Sequence, residues 1–275
     1  MIQPGPILMT KKLTIFGDGV VGGGEFGKVR VYGDGVIESD VLAKSIKVFG
    51  SATFNGKVDA DEIKVYGDGE FNGALNAGLV ELYGSAQFKK TAKIDKLMIR
   101  GAGKFLDNAI VHTIKNMGAL EMNGELIAVE VKSYGVMEGV GKIKVETLIS
   151  SGILQTKGEL EGEQIIIKGA IHNANLINGE NILIELNEEC KCQSIGATKL
   201  VIKKAKRLKR YNIEELPRLI ANEIEGDDLD LMLTEAKVVR GDCVKIGPGS
   251  IIDVVEYSSA IEIDKTAKVL QQVRN

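Results

Sequence analysis

Apolar and polar positions alternate along this chain in short runs, and the pattern restarts every 17 residues. Glycine marks the step, at Gly33, Gly50, Gly67, Gly84, Gly101, Gly118, Gly135, Gly152 and Gly169, with Gly17 one residue early. Four residues before these glycines stand Val29, Ile46, Ile63, Val80 and Leu97, and two before stand Val31, Val48, Val65, Leu82 and Ile99. Four after come Ile37, Phe54, Phe71, Phe88, Phe105 and Met122; eight after come Val41, Val58, Leu75, Ala92 and Ala109. Even offsets within short runs are the alternation of strands with one buried face, and a 3.6-residue helical period does not fit them. β-Branched residues at the inward sites agree. Each unit therefore holds two or three short strands joined by tight bends. One unit cannot bury its apolar face alone, whereas stacking units in register gives a continuous core and parallel pairing. The expected fold is all-β, a single-stranded parallel β-helix with 17-residue rungs.

The same pattern sets the expected organisation. Residues 1–12 read as a flexible N-terminal tail and 13–203 as the parallel β-helix. Residues 204–235 read as an irregular insertion or short helix, and 236–275 as closing β rungs. The inward sites turn polar at Asn116, Ser133 and Ser150, and Gly139 and Thr156 replace the inward aromatic, a tolerated polar stretch rather than a ligand cleft. Beyond Thr198 the glycine marker stops. A basic run follows (Lys203, Lys204, Lys206, Arg207, Lys209, Arg210), then Leu216, Leu219, Ile220 and Ile224 at helical spacing, though Pro217 opposes a helix. The basic run reads as a solvated face beside the acidic stretch Glu223–Asp230, not as a nucleic-acid or lipid site.

One outward position also repeats. Immediately before the glycines stand Phe16, Tyr32, Phe49, Tyr66 and Tyr83, then Tyr134. This predicts an aromatic ladder on the outside of the coil, either as stacking that steadies it or as a lateral docking strip.

Composition narrows the function. Lys and Arg number 35 against 38 Asp and Glu, a net charge of −3, so no broad basic field awaits nucleic acid. Three cysteines in a long chain fit a reducing cytosol better than a disulfide framework. With neither a secretory leader nor a membrane-length apolar run, the expected location is cytoplasmic, or peripheral at the inner face of the membrane. His112 and His172 lie rungs apart, and Cys190 and Cys192 share a strand face without further ligands, so they read as surface histidines and buried thiols. No Walker-type loop occurs, and no pair of carboxylates stands out for glycoside chemistry. The expectation is no catalytic, cofactor or metal site, and no enzyme.

The run Ile46-Lys47-Val48-Phe49-Gly50 with Phe54-Asn55-Gly56 and Val58, repeated as Ile63-Lys64-Val65-Tyr66-Gly67 with Phe71-Asn72-Gly73, resembles bactofilins, bacterial polymer-forming cytoskeletal proteins. The resemblance is good over about residues 13–115 and weaker to 198. It implies a right-handed β-helix, nucleotide-independent filaments formed end to end, and a membrane hold through the N-terminal tail. This chain departs from the family's usual single compact coil by running on through residues 204–235 and further rungs.

Physics gives a reason for assembly as well. Open strand edges template further strands unless capped. The first rung begins Leu13-Thr14-Ile15-Phe16 with no polar cap apparent before it, making Leu13, Ile15 and Phe16 the expected self-contact residues. The expected partner is another copy of the chain, and the tail, with Ile2, Ile7, Leu8, Met9, Lys11 and Lys12, adds a marginal membrane contact. A monomeric protein-binding module is the alternative reading, and a β-helix acyltransferase is a weaker one, because 17 is not a multiple of the hexapeptide repeat.

Overall fold

A computed structural model describes residues 10–208 and 212–275, apart from the side chain of Glu214. Most of the expected tail (residues 1–9), and Lys209 and Arg210 of the basic run, lie outside the described residues; Lys12 already belongs to the first strand. The chain divides into two compact units, Met1–Ala128 and Val129–Asn275, and each is a parallel β-solenoid.

In the N-terminal unit, β1 (Lys12–Ile15) pairs in parallel with β3 (Gly24–Val31), and β2 (Gly19–Val21) with β4 (Asp34–Ile37). β3 pairs in turn with β5 (Val41–Val48), and the alternation of an eight-residue with a four-residue strand continues rung by rung. Inward sites at Val41, Ala43, Ile46 and Val48 change phase between 43 and 46. A strand cannot keep its inward face through such a shift without turning, so the eight-residue strand bends there, at the residue the ladder skips.

Side chains inside this unit form columns. Val31, Val48, Val65, Leu82 and Ile99 make one, all without solvent exposure. Phe54, Phe71, Phe88 and Phe105 make another, with successive ring centroids 4.9, 5.0 and 4.5 Å apart and planes nearly parallel. Burying each ring contributes roughly 1.5–3 kcal/mol, and stacking adds about 0.5–1.5. The glycine marker has a steric origin. At Gly50, Gly67, Gly84, Gly101 and Gly118 the backbone of the rung before lies so close that a Cβ would collide with its carbonyl oxygens. Close approach, rather than a left-handed backbone, keeps the step glycine.

The C-terminal unit retains the parallel register but with longer strands, such as Ala170–Leu186 and Cys190–Lys204. Its interior admits polar groups, including Ser150, Thr156 and Asn173. The Asn173 amide donates to the Thr156 hydroxyl at 2.6 Å, one rung satisfying the next.

Residues 204–235 depart from expectation. Two 3-10 turns, Lys206–Leu208 and Ile213–Glu215, occupy the first part, but Leu219–Leu231 is a regular strand paired with Cys190–Lys204. Leu219 and Ile224 point inward opposite Cys190 and Ile195. Their helical spacing is the phase shift of a bending strand, and Pro217 disfavours helix just before it. The irregular part is thus confined to the connection between these two strands, where the rung step stretches to 29 residues. Thr234–Ile246, Ile251–Ile263 and Lys268–Arg274 complete the unit, with Gly249 at φ +72° in the Gly247-Pro248-Gly249 turn.

Candidate self-assembly surfaces

The first rung places the expected contact residues on one short edge. Leu13 is half-buried and Ile15 buried, each facing the next rung through Val29 and Val31, while Phe16 is 78% exposed. Among the described residues β1 and β2 each pair on one side only, leaving backbone donors and acceptors along the other. The other arm of this rung carries an apolar plug. Phe26 stands where the following rungs carry Ala43, Ala60 and Ala77, and its larger ring fills the end of the column. The Lys11 ammonium lies over that ring, 4.9 Å from its centroid, a cation–π lid on an apolar plug.

The outer ladder is a continuous stack in the N-terminal unit. Phe16, Tyr32, Phe49, Tyr66 and Tyr83 follow one another at centroid separations of 5.2, 4.9, 5.0 and 4.8 Å, with planes within 12° of parallel. Tyr32 to Tyr83 stay 39–44% exposed, because stacking hides ring faces and leaves edges in water. Arg100 occupies the next step and sets its guanidinium 4.8 Å from the Tyr83 centroid. The ladder thus ends in a planar cation, which also reaches Glu81 at 3.8 Å.

Charge is divided across this ridge. On the strand side run Lys28, then Arg30 and Lys47, continuing to Lys64. Lys64 bridges Glu62 at 2.9 Å and Glu81 at 2.7 Å; its hydrogen bond, ahead of opposing desolvation and the Ser45 hydrogen bond, draws the Glu62 carboxyl below its ordinary range. Across the glycine bend stand Asp34 and Asp68, in register through Ser51 and exposed. Among the described residues Lys28, Arg30, Lys47, Asp34 and Asp68 form no ion pair within the chain. The 17-residue alignment displays these flanking columns two and four residues before the aromatic and two after it, with Arg100 in the aromatic column itself, yet no local motif marks them.

Among the described residues the histidines and cysteines join no cluster of three or more metal-ligating side chains. His112 and His172 are exposed and belong to different units. Cys190 and Cys192 are buried, and desolvation pushes the Cys190 thiol up to about 11 and the Cys192 thiol higher still, so neither is a ready nucleophile. In the C-terminal unit a groove of about 990 Å³ runs over Gly162, Gly179, Gly226 and Gly241, beside Glu163, Glu180, Glu225 and Asp227. Among the described residues no helix is long and apolar enough to cross a membrane.

No family model matches the chain, and no solved structure matches it. Over 82 residues it is 38% identical to "Uncharacterized protein YhbF" of Bacillus subtilis (strain 168), an alignment covering 30% of this chain and 34% of that protein. Over 53 residues it is 49% identical to "Uncharacterized protein YhbE" of the same organism, covering 19% of this chain and 22% of that protein. The alignments thus span about a third and about a fifth of the length of these curated relatives.

Proposed function

We propose that this protein is a self-assembling scaffold of the bactofilin kind. In this reading its solenoids stack end to end into filaments without nucleotide, in the cytoplasm or at the inner face of the membrane. The observation that carries it is the half-open first rung. The edges of β1 and β2 are unpaired among the described residues, Leu13 is only half-buried, and the Phe16 ring is bare on the side away from Tyr32. Such an edge is a template for another strand. A second solenoid placed there would pair the backbone and cover the ring. The Phe26 plug and its Lys11 lid limit this contact to the arm that carries β1 and β2.

Phe16→Arg tests it. The side chain points outward, so folding should be retained, while stacking on that ring is lost. The variant should remain in the supernatant at concentrations where the parent sediments as polymer. Equal sedimentation would remove the first rung from the contact. The groove over Gly162 and Gly179 favours a second reading, a monomeric protein-binding module. A single sedimenting species of monomer mass at every concentration would support that reading instead.

A further inference from the structure

We infer that the aromatic ridge of the N-terminal unit is a second, lateral interface, on which two copies lie side by side in parallel, ridge against ridge. The inference deepens the self-assembly reading, yet its contact shares only Phe16 with the axial one. Three observations lead to it. Phe16, Tyr32, Phe49, Tyr66 and Tyr83 form one contiguous exposed aromatic strip, and contiguous apolar strips rich in aromatic residues are the usual core of a protein interface. The strip sits at the bend before each glycine, so ring edges project along a corner of the coil. Its two flanks carry opposite charges that form no direct salt bridge within the described chain, Lys28, Arg30 and Lys47 on one side and Asp34 and Asp68 on the other; Glu62 on the basic side is bridged by Lys64 and only feels the Lys47 charge.

Those charges select the occupant and its orientation. A two-fold axis parallel to the ridge sets the basic flank of one copy against the acidic flank of the other, on both sides of the strip. An axis perpendicular to the ridge would set like charges together, which interfaces avoid. Both copies rise by the same rung spacing of about 4.8 Å, so each rung meets an equivalent rung and the contact stays in register. The interface is isologous and closes as a pair. Aromatic edges supply the buried centre, with the ion pairs as a salt-sensitive rim.

The test uses the full chain carrying Tyr66→Cys in a Cys243→Ser background, since Cys190 and Cys192 are buried. Copper–phenanthroline oxidation should link the introduced thiol to its counterpart in a second copy, whereas His112→Cys, exposed elsewhere on this unit, should not link. Adding Asp34→Lys and Asp68→Lys should lower the linked yield at least about ten-fold, and further adding Arg30→Glu and Lys47→Glu should restore it. Circular dichroism reports whether each variant is folded. Paired filaments, or discrete linked dimers where axial stacking fails, support the lateral contact. Single filaments or monomers with no such link overturn it. So does ridge-dependent binding to phosphatidylglycerol vesicles without the link, which would give the basic flank to a lipid surface.

Discussion

Phe71 stacks on Phe54 with ring centroids 4.9 Å apart and planes 3° from parallel, and neither ring reaches solvent. The pair begins the inner aromatic column, and Phe71 is held between Phe54 and Phe88, so Phe71→Ala leaves a cavity between two rungs. The expected loss is about 3–5 kcal/mol, and Phe71→Leu should lose less because it refills part of the space. Phe49→Ala, on the outer ladder, should change stability by less than about 1 kcal/mol. Denaturant unfolding of the three variants checks this order. A Phe49→Ala loss equal to that of Phe71→Ala would reverse the assignment of inner and outer faces.

Gly67 and Gly17 occupy equivalent steps and should respond differently to alanine. A Cβ at Gly67 would collide with the carbonyl oxygens of Gly50 and Phe49, whereas one at Gly17 meets no atom within 4 Å. Gly67→Ala should destabilise by at least about 2 kcal/mol, and Gly17→Ala should stay within about 0.5. Thermal melts of the two variants decide it. Equal melting temperatures would mean that close rung packing does not maintain the glycine step.

The thiols give a pH dependence of known sign. Burial raises the Cys190 thiol from its ordinary value near 9.0 to about 11, and the Cys192 thiol is raised further. The folded chain then holds protons that the unfolded chain releases. Stability contributed by the neutral thiols is complete below about pH 8.5 and declines as pH rises toward 11. The parent should lose more stability between about pH 8.5 and 11 than a Cys190→Ala, Cys192→Ala variant does, by about 1.4 kcal/mol per unit for each thiol still protonated in the fold. In native buffer a thiol reagent should modify exposed Cys243 promptly and the other two only on unfolding.

Much of the fold was legible because a solenoid writes its geometry once per rung. The inward columns through Val48 and Phe54 and the outward ladder through Phe49 are all fixed offsets from Gly50. Legibility failed where pairing overrode local pattern. Leu219 and Ile224 look helical in isolation, yet the free edge of Cys190–Lys204 draws them into a strand. The lid of Lys11 was also hidden, since the 17-residue alignment puts Phe26 one step before Ala43 but does not show which side chain crosses its ring. The flanking charges of the ridge were visible column by column, but their opposition across the bend becomes meaningful only once Tyr32 is placed at a corner.

End-to-end assembly is the central claim, and negative-stain electron microscopy of the full chain in nucleotide-free buffer, over a range of concentrations, tests it most directly. The expected result is filaments that lengthen with concentration in the parent and are short or absent in Phe16→Arg. Small discrete particles at every concentration, identical for parent and variant, would contradict it.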